Sequence, residues 1–257
     1  MEKEKFNEDH IADRVTRKVA YKLVACVRNA LEDDVSAYME WAHLTTYNAL
    51  PFQKCDYINT RLEKDLAREN LEVLPFKRFN WESRVVIDRE QKVVYTVISK
   101  SRMGELMKHY GESSTPHYAV LFANALNGDI VAPQKQLSLF DNYPFSTEMM
   151  DEGYEKLLGG CVFRNEGYRY CVITYEVSGH NLISCEGVFV DRDLDVIEKV
   201  SLNEYLRPDY AKLTTQDESV TESTEESKAR RVTLKKTIGN TSTTLVSAIK
   251  EERSLQK

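Results

Sequence analysis

Ser83-Arg84-Val85-Val86-Ile87-Asp88 and Val93-Val94-Tyr95-Thr96-Val97-Ile98 are two runs rich in β-branched residues, separated by the polar Arg89-Glu90-Gln91-Lys92. β-Branched side chains fit a pleated, half-buried surface and are crowded in a helix, so each run reads as a strand. Four polar residues between them suffice to reverse the chain, and the pair reads as a β-hairpin. Sheet is therefore fixed at the middle of the chain, and the question becomes what covers it.

Upstream the period changes. Ile11, Val15, Val19, Leu23, Val27, Leu31 and Val35 recur every fourth residue with charged residues between them, which predicts a long helix over residues 7–39. Asn7 is the expected N-cap, with Glu8 and Asp9 in the dipole-favoured first turn. A four-residue period overshoots the helical turn, so the stripe wraps, and Asp33-Asp34 marks a break. A second helix is predicted over residues 56–73, with Ile58, Leu62, Leu66 and either Asn70 or Leu71 inward and Pro75 as its stop.

Downstream, residues 101–109 predict a short helix. The apolar run 118–123 reads equally as strand or buried helix. Residues 147–158 predict a helix stopped by Gly159-Gly160. Strands are expected at 168–177, 182–191 and 196–200, joined by the turn-like 178–181 and 192–195 as an antiparallel meander, with a helical turn at 202–206 before Pro208. The expected fold is α+β: one domain over residues 7–213, the meander packed with the earlier hairpin and the long first helix across one face.

Beyond Leu213 the composition shifts. Residues 214–226 are nearly all Thr, Ser, Gln, Asp and Glu, the signature of a disordered segment. A basic cluster follows (Lys228, Arg230, Arg231, Lys235, Lys236), and residues 244–253 predict a short helix with Leu245, Val246 and Ile249 on one side. The acidic and basic blocks of this 214–257 tail are able to neutralise each other. The tail's cations imply at most weak or indirect contact with nucleic acid.

A net charge of −6 speaks against broad, sequence-independent nucleic-acid binding, which needs a basic surface. The five cysteines (Cys26, Cys55, Cys161, Cys171, Cys185) form no CxxC pair and stand at no zinc-ligand spacing from histidine. Most lie in apolar surroundings and read as reduced core residues, as expected of a cytoplasmic protein. The charged start Met1-Glu2-Lys3-Glu4-Lys5 leads into no apolar signal region, and no stretch has the length of a membrane span.

Gln136-Leu137-Ser138-Leu139-Phe140 lies between Val131-Ala132-Pro133-Gln134-Lys135 and the turn residues Asp141-Asn142-Tyr143-Pro144. The pentapeptide resembles the peptide by which many bacterial replication and repair proteins dock on the DNA-polymerase sliding clamp. That resemblance implies an extended, accessible segment in which Leu139 and Phe140 enter an apolar pocket and Leu137 fills a neighbouring dimple. Gln136 then sets the register through its amide, and Ser138 faces solvent or hydrogen-bonds locally. The competing reading is a half-buried strand whose alternating Leu137, Leu139 and Phe140 cover the core.

The order helix, strand, strand, helix, strand over residues 56–123 is similar to the core of restriction-endonuclease-like folds. That similarity implies a metal site in which Glu82 and Asp88 flank the first strand and Lys100 closes Ile98-Ser99-Lys100. Ile98 occupies the position of the second acid, so the resemblance implies a scaffold or an inactive relative, with no metal expected. No phosphate-cradling glycine motif occurs. His117 and His180 read as structural, and Asp191, Asp193 and Asp195 as a solvated turn, since no glycine and distal glutamate complete a calcium loop.

The overall pattern resembles that of uncharacterised proteins of bacterial mobile elements. The expectation is a non-enzymatic adaptor, bacterial or of a phage or mobile element, that binds the sliding clamp, with no cofactor. The alternatives are a nucleic-acid-processing enzyme or degenerate nuclease, and an antitoxin-like regulator acting through the tail. The sequence leaves the oligomeric state open.

Overall fold

The computed structural model describes residues 10–66, 71–133 and 143–206. The docking pentapeptide and the whole tail, with its acidic block, basic cluster and expected helix, lie outside the described residues, as do Asn7 and the start of the first expected helix.

A short 3-10 turn, Ile11–Arg14, leads into helix α1 (Arg17–Asn29), whose N-cap is Thr16: its hydroxyl accepts from the Val19 amide. The helix passes through a π-helical turn, Ala30–Asp34, into α2 (Val35–Ala42). The break expected at Asp33-Asp34 is this turn. Each four-residue step of the apolar stripe overshoots a helical turn by about 40°. A wider π turn takes up part of that excess, and Val19, Leu23, Val27, Leu31 and Val35 all stay buried. His43, in the left-handed conformation, ends α2.

Helix α3 (Leu50–Arg61) continues through a second π turn, Leu62–Leu66. It starts before residue 56 and ends short of residue 73, because the expected helix end is a strand: β1 (Leu71–Arg78) contains Pro75. Proline is tolerated there because β1 is the edge of the sheet, where a missing N–H need not break a ladder. Strands β2 (Trp81–Asp88) and β3 (Val93–Ser99) form the expected hairpin, with Asp88 opposite Val93.

Helices α4 (Lys100–Lys108), α5 (Tyr118–Asn127) and α6 (Thr147–Leu158) follow. The ambiguous run 118–123 is thus helix. The meander forms as β4 (Arg169–Ser178), β5 (Asn181–Val190) and β6 (Val196–Ser201), with a 3-10 turn at Asn203–Tyr205.

All six strands make one sheet in the order β1-β2-β3-β4-β5-β6. Every neighbouring pair is antiparallel except β3 and β4, which run parallel from Val93 opposite Arg169 to Ser99 opposite Tyr175. A parallel pair needs a crossover, here the segment carrying α4, α5 and α6. Side chains alternate along the strands, so the sheet has two buried faces. Val86, Tyr95, Ile173 and Phe189 pack against α1 and α3, whereas Val85, Val94, Val172 and Val188 pack against α5 and α6. The α+β fold is therefore helix, sheet, helix in three layers. The described residues all belong to the unit spanning residues 1–210.

Candidate functional site

The residues that the nuclease resemblance grouped do not meet. Glu82 and Asp88 stand at opposite ends of β2, about 20 Å of strand apart. Glu82 is exposed and accepts from Arg84 Nη1 at 2.7 Å, while Arg84 Nε donates to Glu63 at 2.8 Å. Asp88 is buried, and its Oδ1 accepts from the amides of Glu90 and Gln91, both at 3.0 Å, capping the hairpin turn. Lys100 opens α4 at the far end of β3 and pairs with Glu176 at 3.2 Å. Among the described residues no three His, Cys, Asp or Glu side chains cluster as metal ligands.

Asp191 differs from the solvated turn residue expected of it. It is 1% exposed, and its Oδ1 accepts from the amides of Asp193 and Asp195. Its Oδ2 accepts from the amide of Ala132 at 3.4 Å. A few residues past the pentapeptide, Tyr143 donates to the Arg192 carbonyl and lies beneath the Arg192 guanidinium, 5.4 Å from the ring centroid. The residues on either side of 134–142 are therefore fixed to one place, the β5–β6 turn. A polar cleft of about 500 Å³ adjoins it. The arginines of that cleft are matched by acids: Arg169 grips Asp129 with two nitrogens, and Arg164 holds Asp151. The Arg169 guanidinium holds the Asp129 carboxyl below the usual carboxylate range.

A different groove, about 490 Å³, opens between the β1–β2 turn and α6. Arg78 faces Trp81 across the register, leaving Phe79-Asn80 as a two-residue turn. Phe79 adopts φ 54°, a left-handed conformation that costs a bulky residue about 1 kcal/mol. The result is an aromatic ring 75% exposed at the tip of a strand pair. The Arg78 guanidinium lies 5.3 Å from the centre of that ring, and its Nη2 donates to the Thr115 hydroxyl at 3.2 Å. Below the tip, Trp81 stacks on Tyr118 of α5 with centroids 5.4 Å apart.

The opposite wall is α6, where Met149, Gly153 and Lys156 follow at helical spacing. A Cβ on Gly153 would stand 2.8 Å from Leu121 Cδ2, so glycine lets α6 approach α5 closely. Lys77 and Lys156 are exposed beside Arg78. Glu152 is the acid of the groove and lies 3.5 Å from Lys156.

His117 caps α5 behind the turn, its Nδ1 accepting from the Ala119 amide at 3.2 Å. Burial first, then the charges of Arg78 and Arg102, push its pKa down to about 3, so the imidazole is neutral at neutral pH. His117 is structural, as the sequence implied. The groove escaped the sequence reading because β1 did. Its legible signal was Lys77-Arg78-Phe79-Asn80-Trp81, a basic-aromatic stretch.

Residues 5–251 match the model of the Family of unknown function (DUF5986), and the chain belongs to that family. No curated protein and no solved structure matches it.

Proposed function

We propose that this member of a family without an assigned activity is a non-enzymatic adaptor that docks on a bacterial replication sliding clamp through Gln136, Leu137, Ser138, Leu139 and Phe140. The observation that carries the reading is the pentapeptide itself, an amide residue followed by an apolar triad around a small polar one. The anchoring of Ala132 and Tyr143 on the β5–β6 turn supports it. A peptide tethered at both ends to one place has less conformational freedom to lose on binding than a free tail. Leu139 and Phe140 supply the apolar anchors, Leu137 a lesser one, and Gln136 the rim hydrogen bond. A cytoplasmic location follows from that partner. The nuclease-like reading gains no support from the placement of Glu82, Asp88 and Lys100.

Surface plasmon resonance with purified bacterial clamp tests the proposal. Wild type should bind, and the double variant Leu139→Ala, Phe140→Ala should lose at least about tenfold in affinity at unchanged thermal stability. No binding by wild type, or equal binding by the double variant, rejects it.

A further inference from the structure

The groove between the β1–β2 turn and α6 has an occupant written into its chemistry. Three cations, Lys77, Arg78 and Lys156, line it together with one acid, Glu152. Against the chain's net charge of −6 this is a local positive strip, which selects an anionic ligand. At its mouth Phe79 is 75% exposed on a left-handed backbone, with a guanidinium against its ring and Trp81 stacked on Tyr118 behind it. A solvent-facing aromatic backed by the Arg78 guanidinium on one side is a stacking platform on the other. Every nucleobase presents a π face to such a ring, and the flanking cations meet the phosphates. An acidic peptide would use the cations and leave the aromatic unexplained.

We infer that this groove binds single-stranded nucleic acid, with a base stacked on Phe79 and adjacent phosphates on Lys77, Arg78 and Lys156. Three phosphate contacts predict that log affinity falls against log salt with a slope near ~2 for a single strand. Binding is therefore of low affinity at physiological salt, in keeping with the chain's overall acidity.

The test is fluorescence anisotropy of a labelled oligothymidylate of ~12 nucleotides, within the range of single-strand sites. It uses the full chain at low salt, with Lys228, Arg230, Arg231, Lys235 and Lys236 replaced by Gln so that the tail contributes no phosphate contact. Phe79→Gly suits the left-handed backbone, so folding is preserved, and affinity should fall about tenfold. Lys77→Gln with Lys156→Gln should bring the salt slope from ~2 to below ~1. Absence of binding, affinity unmoved by Phe79→Gly, or a salt slope unmoved by the lysine pair overturns the inference. So does displacement by poly-glutamate as effective as displacement by unlabelled oligonucleotide, since it would assign the groove to an acidic peptide. The clamp reading stands or falls separately: Leu139→Ala with Phe140→Ala should leave oligonucleotide affinity unchanged, and Phe79→Gly should leave clamp binding unchanged.

Discussion

Asn127 is fully buried at the end of α5 and spends its amide on three backbone groups. Its Nδ2 donates to the carbonyls of Tyr170 and Val190, both at 2.8 Å, and its Oδ1 accepts from the Tyr170 amide at 2.9 Å. It clips the helix to the ends of β4 and β5. Leucine fills nearly the same volume and bonds to none of them, so Asn127→Leu should cost about 3 kcal/mol, read from the urea midpoint. Substitutions of exposed residues should fall within ~0.5 kcal/mol. Nothing in the sequence separates Asn127 from a helix-ending surface asparagine, because its partners are more than forty positions away. Asp88 was legible: a polar residue opening a hairpin turn is local, and the structure uses it locally. Asp191 reads as solvated because its neighbours are charged, yet its carboxylate is turned inward onto the amides of Asp193, Asp195 and Ala132.

The elements that the sequence hid are those lacking a periodic contrast. In α5 eight of ten residues are buried, so no polar face declares a helical period, and strand or helix stays open until α6 and the sheet enclose it. Strand β1 was hidden by proline, read as a helix stop although an edge strand also accepts it. Helix α6, one-faced and capped by Ser146, was legible to the residue. At the start of α5, His117 serves as cap in its neutral form. Its native pKa of about 3 lies below the ordinary 6.5, so between these values the unfolded chain binds more protons. The stability this group contributes is full above pH 6.5 and declines as pH falls through that window, by up to about 1.4 kcal/mol per pH unit. Chemical denaturation at pH 7 and pH 5 should show the loss, and His117→Asn, which keeps a capping acceptor, should flatten it. An unchanged slope in that variant would refute the assignment.

The two faces of the sheet form two cores, and the cysteines report on one of them. Cys171 and Cys185 lie under α1 and α3, and Cys26 of α1 belongs to the same core, its thiol directed at the Arg61 carbonyl of α3. Burial pushes the thiols of Cys26 and Cys185 up to about 12 and raises that of Cys171 as well. Thiolate is the reactive species, so these three should resist a disulfide reagent in the native state. Partly exposed Cys55 and Cys161 should react first, and all five should react in denaturant. Rapid native labelling of all five would contradict the packing. The α+β class and the meander were legible because they rest on local alternation. The first helix over one face of the sheet was legible too, but the parallel pairing of β3 with β4 was not, since residues 100–168 lie between them.

That pairing also distributes the entropic cost of closing the sheet unevenly. Each antiparallel half of the sheet closes from a tight reversal at small entropic cost, but the seam between the halves closes over the whole intervening helical segment. The central strands, among the most enclosed parts of the finished molecule, thereby carry the largest loop-closure cost of the sheet.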